Sequence, residues 1–595
     1  MFYPERTITL TTSDPQYVTP GVKALLRRKN RLMRSGRTEE AGALAIRVQA
    51  AIIRSNTAIL RHTNAKSDSK HMWTKVRDLT KRNRRDTIIP SGVTAQTLND
   101  HYAMVSTDSL YAPTKSKLTC LEQQSHITEW QVFKILDHLH HTATGLDQIP
   151  AWFLRLGAPV FSAPIAHLFN QSLHSSTVPR QWKEACISPI PKIHNPTNVT
   201  DYRPISITSV LSRILERHVV KTFIYPAILN PPKELYFQDQ FAFRPTGSTT
   251  AALITMIHTI NEMLQKYPYV HIFALDFSKA FDTVRHSTLL EKHAALKLQN
   301  EIYNWIKSFF DNHSHCTKFA GSTSALVNIM ASVIQGSAIG PASYVVNTSD
   351  LRTITAGNEM IKFADDTYLI VPSINSHSCA IELEHVASWA SANNLRLNQS
   401  KSMEMIIRAR GARRQQVTLP PPLPGIERVE SMTVLGVVVN NRMAADDHVN
   451  KTLENCIKTL YALRVLRTHG MPMVSLQEVF RATTLAKLLY GSPAWSGYCK
   501  ASDITRLDAF LRRCKRAGYC AAATPSISEL FNIADDALFK RVISNNGHVL
   551  HRLLPERTNM PYNIRPRRHN FELITKTTYL NQSNYLTRML YKDLY

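Results

Sequence analysis

The sequence predicts an α+β fold built on a small sheet, and three observations predict it. Phe363-Ala364-Asp365-Asp366-Thr367 sets two adjacent acids between apolar flanks, Ile361 and Phe363 before and Tyr368-Leu369-Ile370-Val371 after. That pattern reads as strand, tight acidic turn, strand. His271-Ile272-Phe273-Ala274-Leu275-Asp276 is a largely apolar strand that ends in a third acid. Helical and loop sequence fills the stretches between and around these strands. An isolated Asp-Asp pair is most often a plain polar turn. Yet two anions at one turn repel unless something neutralises them, and a carboxylate at the end of a buried strand is costly unless paired or metal-bound.

The bulk of the chain sets the setting for those acids. At 595 residues it is long enough for three or four modules. Lys+Arg number 71 against 45 Asp+Glu, a formal net charge of +26. Such an excess calls for a polyanionic partner, nucleic acid first and a membrane surface second. Against the membrane, no uninterrupted apolar run reaches the ~18 residues of a spanning helix, and MFYPERTITL carries no signal-peptide core. The eight cysteines are scattered without a CxxC pair. They fit reduced thiols in the nucleus or cytoplasm rather than a secreted protein.

In order, residues 1–20 read as irregular. Gly21 to Arg85 holds eighteen Lys/Arg against Glu39, Glu40, Asp68 and Asp78. Within it Leu44, Val48 and Ile52 recur at helical spacing, and Glu39-Glu40 suit a helix N-terminus. This is either a solvated basic helix or a phosphate-contacting arm, the second favoured by the whole-chain charge. Pro90-Ser91-Gly92 marks a linker. A helix is expected over 128–141, a turn at Thr144–Pro150 feeding a helix over 151–156, and a proline-punctuated strand over 187–192. Asp201–Ile207 precedes a helix over 211–225. Gln240–Thr250 is a loop opening a helix that runs to about 264. Arg203 and Arg244 each stand between an aromatic residue and a proline; a rigidly held guanidinium there suits phosphate binding. After Asp276 the chain turns into a helix, and Gln335–Pro341 leads into another. Helices are expected over 449–465, 476–490 and 504–514, with Arg512, Arg513, Lys515 and Arg516 as a basic strip. Short helices over 527–534 and 535–555, a Pro/Arg-rich loop at 561–568 and a tail follow.

Three clustered carboxylates can hold two Mg²⁺ ions about 4 Å apart, stabilising the attacking and leaving oxygens of an in-line displacement at phosphorus. The chain carries further blocks in a telling order: GLDQIP (145–150), SPIPK (188–192), DYRPISI (201–207), FAFRPTGST (241–249), FALDFSKAFDTV (273–284), QGSAIGP (335–341), FADDTYLI (363–370), NLRLNQSKS (394–402) and VLGVVV (434–439). In these it resembles the reverse transcriptases of non-LTR, LINE-type, jockey-like retrotransposons. Ala494-Trp495-Ser496-Gly497-Tyr498 resembles the region after the polymerase in that family.

The resemblance implies a right-hand polymerase of fingers, palm and thumb, with a basic helical N-terminal extension and a mostly α C-terminal region. The expected division is 1–95 extension, 96–440 fingers and palm, 441–520 thumb and 521–595 of unknown role. By position, Asp276, Asp365 and Asp366 match the metal-binding triad, and the Phe277 carbonyl is an added ligand. The implied cofactor is Mg²⁺, two ions, with Mn²⁺ a substitute. Phe281 matches the gate that excludes a ribose 2′-hydroxyl, implying dNTPs. Gln335 and Gly336 match the loop beneath the template base and incoming nucleotide. Arg203 and Arg244 match residues that touch phosphate or template. Lys401 matches a lysine near the triphosphate, with a plain surface lysine as the alternative. Leu435 and Gly436 fall in the primer grip. Asp282 is not expected as a ligand, because its helix should carry it away from the site.

The implied partners are an RNA template, a DNA primer or target and dNTPs, with no membrane. Ala242 stands where the family often has Gly, and Ser343-Tyr344 where it has Leu-Phe. The family's endonuclease domain is expected to be missing ahead of the basic segment, and neither a zinc knuckle nor a ribonuclease H pattern is legible. A catalytically silent relic that binds RNA or DNA, and an RNA replicase on the same fold, are the rival readings; Phe281 argues against the second.

Overall fold

A computed structural model describes residues 8, 10, 18–60, 69–79, 92–118, 126–409, 418–558 and 569–592. The linker residues Pro90 and Ser91, the loop 561–568 and most of 1–17 lie outside the described residues. The chain divides into two units, Met1–Asp86 with Ala444–Ala537, and Thr87–Met443 with Leu538–Tyr595. The division expected from sequence was instead four consecutive segments.

The first unit is helical. Helix Pro20–Arg34 starts where Thr19 caps the Val22 N–H at 3.3 Å and Pro20 fills the first turn. Helix Thr38–Leu60 follows, held at its start by the Arg37–Glu40 pair, two bonds of 2.7 Å. Leu44 and Val48 are buried and Ile52 partly so, as the helical spacing predicts. The Thr57 hydroxyl donates to the Gly470 carbonyl at 2.8 Å, tying this segment to the turn after helix Asp446–Thr468. Helices Met473–Phe480 and Ala501–Arg516 complete the expected trio. Helix Ile527–Ser544 is continuous where two short helices were expected; no Gly or Pro interrupts it before Asn545-Asn546-Gly547.

The second unit holds the strands β1 (Glu184–Pro191), β2 (Tyr202–Ile207), β3 (Tyr269–Leu275), β4 (Ser314–Phe319), β5 (Ser322–Thr323) and β6 (Val327–Asn328). They continue with β7 (Glu359–Phe363), β8 (Asp366–Pro372), β9 (Met403–Arg408), β10 (Glu427–Arg428), β11 (Ser431–Val434) and β12 (Val437–Asn440). One sheet runs β10-β9-β3-β8-β7, with β3 central. Both neighbours of β3 are antiparallel to it. A second sheet runs β2-β1-β4-β5, with β6 on β4. Pro189 and Pro191 fall beyond the end of the β1–β4 pairing, which stops at Ile187, so their missing N–H groups cost little.

Behind the first sheet lies the core, in which Phe273, Leu369 and Val371 pack with Phe309, Tyr344 and Val386. Helix Val210–Val219 runs through a wide turn at 220–224 into Tyr225–Leu229, and Glu129–Asp137 is shorter than expected. The C-terminal part of the chain is built into this unit. The Val549 N–H donates to the Thr246 hydroxyl at 3.0 Å, and Asn261 donates to the Leu580 carbonyl at 3.4 Å. Among the described residues no helix is long and apolar enough to cross a membrane.

Candidate active site

The register of the central sheet brings the three acids together. Leu275 on β3 pairs with Thr367 on β8, so one step further Asp276 stands opposite Asp366. Phe363 pairs directly with Asp366, leaving Ala364-Asp365 as a two-residue hairpin loop. Ala364 takes a left-handed φ of 58°, a conformation that costs a non-glycine residue about 1 kcal/mol or more. Gln240 holds it there: its Oε1 accepts the N–H groups of Ala364, Ala242 and Phe241 at 3.0, 3.0 and 3.1 Å. Asp276 is fixed by its own backbone, its N–H donating to Ser402 Oγ at 3.2 Å and its carbonyl accepting from Asn398 at 2.7 Å.

The acids disturb one another as a crowded set should. Asp366 is pushed up to about 6, by burial first and then by the charges of Asp365 and Asp276. Asp365 is raised by burial and by Asp276, with Arg203 pulling the other way. Asp276 and Asp365 open onto a cavity of about 830 Å³. Phe277, Phe281, Arg203, Gln335, Gly336 and Lys401 also line it; Asp366 stands just outside the lining. Lys192 and Lys279 line it as well. The β1–β2 register, Ile190 against Arg203 and Pro191 against Tyr202, brings Lys192 near Arg203. Burial lowers Lys192, and the charges of Lys279, Arg203 and Lys401 lower it further. Carboxylates, lysines and an arginine thus line one cavity, a mixture of charges that suits a polyanion together with cations.

Residues 190–439 match the family described as reverse transcriptase (RNA-dependent DNA polymerase). That match covers 250 of the 595 residues. Three Drosophila melanogaster proteins are similar to the chain. They are "Probable RNA-directed DNA polymerase from transposon BS" (26% identical, 59% of this chain and 40% of that protein), "RNA-directed DNA polymerase from mobile element jockey" (28%, 48% and 32%) and "Probable RNA-directed DNA polymerase from transposon X-element" (26%, 59% and 39%). The chain therefore spans well under half the length of these curated relatives. Apo telomerase from Candida tropicalis overlaps at TM-score 0.33 and 11% identity, over 60% of this chain and 64% of that one, too loosely to carry structural inference.

Within residues 190–439, two sequence expectations change. Arg244 does not reach the cavity. Its guanidinium donates to the Phe237 carbonyl and, at 3.3 Å, to the Gln240 carbonyl. Left-handed Phe243 and Thr246 fold the loop back on itself, so the arginine braces the segment that carries Gln240. Asp282 does not leave the site. Its helix is a single turn, Ala280–Thr283, too short to carry it off, and the carboxylate lines the cavity beside Gln335. Burial raises it to about 6.

The other residues expected at the site have the following surroundings. Phe281 stacks on Tyr344 with centroids 4.4 Å apart and planes at 19°. The bonds that bridge Phe277 to Leu397 use the carbonyls of Arg396 and Asp276 rather than its own. Leu435 (φ 45°) and Gly436 (φ 87°) form the two-residue turn between β11 and β12, and the Leu435 N–H reaches the Tyr368 hydroxyl, two residues past Asp366.

Sequence reading missed Gln240, Glu216, Lys192, Lys279 and the place of Asp282. Glu216 is fully buried; it accepts from Ser212 at 2.7 Å and from the Ala338 and Ile339 N–H groups at 2.6 and 3.2 Å, pinning the loop after Gln335. Its signal was an acid between Leu215 and Val219 on an apolar helix face. Lys192 and Lys279 stood inside quoted motifs.

Proposed function

We propose that the chain is an RNA-directed DNA polymerase of a non-LTR retrotransposon, adding dNTPs to a primer 3′-hydroxyl on an RNA template. The observation that carries the proposal is the meeting of Asp276 and Asp365 with Lys192, Arg203, Lys279 and Lys401 around one cavity gated by Phe281. The donor set suits hard divalent cations, all oxygen and mutually repelling until neutralised. Among the described residues no three such side chains converge closely enough to hold an ion unaided. Mg²⁺ takes one or two carboxylates and completes its shell with water and substrate phosphates. Mg²⁺, or Mn²⁺ in its place, would be held by Asp276, Asp365, Asp366 and the Phe277 carbonyl. It supplies Lewis-acid stabilisation of the attacking and leaving oxygens.

The remaining work falls to the chain's own groups. Lys192, Arg203 and Lys279 neutralise the triphosphate, and Lys401 offers a proton or a charge to departing pyrophosphate. The Phe281 ring fills the space a ribose 2′-hydroxyl would need. Gln335 and Gly336 floor the nucleotide, and the Leu435-Gly436 turn steadies the primer end. Primer extension on an RNA template with dNTPs and Mg²⁺ tests the proposal. Wild type should extend and Asp365→Ala should not; absence of extension by wild type, or full extension by the variant, rejects it. Salt-sensitive RNA binding without extension would instead favour the silent binding protein.

A further inference from the structure

Two segments line the cavity side by side, and three hydrogen bonds between 281–284 and 332–335 fasten them. The Ser332 N–H donates to the Val284 carbonyl at 3.0 Å, and the Val333 N–H to the Phe281 carbonyl at 2.7 Å. The third fastening is made by side chains: Gln335 Nε2 donates to Asp282 Oδ1 at 2.8 Å. The first two set the backbones. The third lies at the cavity itself, between the residue that follows the Phe281 gate and the residue that floors the nucleotide.

The backbone of Gln335 has little freedom of its own. Its carbonyl accepts the Ser206 N–H at 2.8 Å. Gly336, at φ +129°, lies so close to β2 that a Cβ there would fall 2.0 Å from the Ser206 carbonyl oxygen. What can still rotate is the Gln335 side chain. A free carboxamide at a ligand cavity can present either its donor or its acceptor end. An ionised carboxylate only accepts, so pairing with Asp282 commits the nitrogen and leaves Oε1 for the ligand. Asp282 is itself held: its N–H donates to the Lys279 carbonyl at 2.8 Å, and the positive groups facing it are Lys279, Lys192 and Arg203.

We propose that Asp282 is a positioning residue for nucleotide binding: it fixes the Gln335 carboxamide with its acceptor oxygen offered to a hydroxyl or amino donor of the incoming nucleotide. Asp282 touches no reacting atom. It acts through Gln335 and, being next in sequence to Phe281, couples the floor of the nucleotide site to its gate. The inference rests on the polymerase reading and adds a residue to it.

The test is steady-state primer extension with Asp282→Ala, Asp282→Asn, Gln335→Ala and the Asp282→Ala/Gln335→Ala double variant, each checked for folding by thermal melting. Loss of a hydrogen bond to a charged group at a binding site is expected to raise KM for dNTP about tenfold in Asp282→Ala, with kcat much less affected. The double variant should be no worse than Gln335→Ala alone, since each change breaks the same contact. Asp282→Asn keeps an acceptor oxygen in place and should recover most of the lost affinity. An unchanged KM in Asp282→Ala, or effects that add in the double variant, would overturn the role. If Asp282→Ala does not fold, Asp282→Asn decides: a KM as high as that of Gln335→Ala would overturn it. Wild type that fails to extend any primer rejects the polymerase reading itself, whereas wild-type extension with unmoved KM values rejects only the role of Asp282.

Discussion

Asp366→Asn should make the protein more stable while abolishing polymerisation. A carboxyl held at about 6 rather than its ordinary 3.8 carries up to about 3 kcal/mol of penalty once ionised. The Asp366 side chain keeps access to solvent although its carboxyl is partly desolvated among the other acids, and solvent screening reduces the figure to about 1 kcal/mol. Because the folded value lies above the unfolded one, the penalty is fully present above about pH 6 and gone below the unfolded value. The near-isosteric amide removes it at any pH. In EDTA at about pH 7.5 the variant should therefore melt about 1–2 °C above wild type, and the gap should close toward about pH 4. Millimolar Mg²⁺ should raise the wild-type melting temperature more than that of the variant, since the ion neutralises what the amide has already removed. Calorimetry or a dye-monitored melt reads all of this. A variant that melts at or below wild type in EDTA would refute the crowding of the three acids, and a wild type indifferent to Mg²⁺ would refute their binding of the ion.

Three further outcomes follow from the same geometry. Phe281→Ala should admit NTPs, measured as a rise in the ratio of ribonucleotide to deoxyribonucleotide kcat/KM; an unchanged ratio would remove the gate assignment. Lys362 is wholly buried, paired with Asp239 at 2.9 Å and donating to the Thr348 and Leu351 carbonyls at 2.7 and 2.9 Å. Asp239→Ala would leave that ammonium without its counter-charge, and denaturant unfolding should show a loss of about 3–5 kcal/mol. His313 is wholly buried, and burial pushes it down to about 3. The unfolded chain takes up its proton below ~6.5 while the folded one does not, so its neutral form favours folding above that pH and the advantage fades as pH falls. His313→Leu should therefore flatten the acid side of the stability profile by up to about 1.4 kcal/mol per pH unit between pH ~6 and ~4; parallel wild-type and variant profiles would contradict this.

Local chemistry made much of the site legible. Acidic turns, strand-end acids and glycine-bearing loops are written in consecutive residues, because a hairpin or a strand end is decided by its neighbours in the chain. The strand at 271–276 and the 363–367 hairpin were readable for that reason. Contacts between distant segments were not. Arg244 reads as a guanidinium held rigidly between Phe243 and Pro245 to meet phosphate, yet left-handed turns on either side fold its side chain back onto the Phe237 and Gln240 carbonyls. Asp282 reads as carried away from the site on a departing helix, yet that helix ends at Thr283.

The sequence by itself determined which chemistry is available here: three carboxylates at strand ends, an aromatic residue five positions after the first, and a basic chain suited to polyanions. Only the tertiary structure decided which polar side chains serve that chemistry. Gln240 reaches across to Ala364, Glu216 to Ala338, and Asp282 to Gln335, over 124, 122 and 53 positions in the chain. Hydrogen bonds of a few ångströms depend on where segments lie in space, and periodicity records only which face of an element is buried.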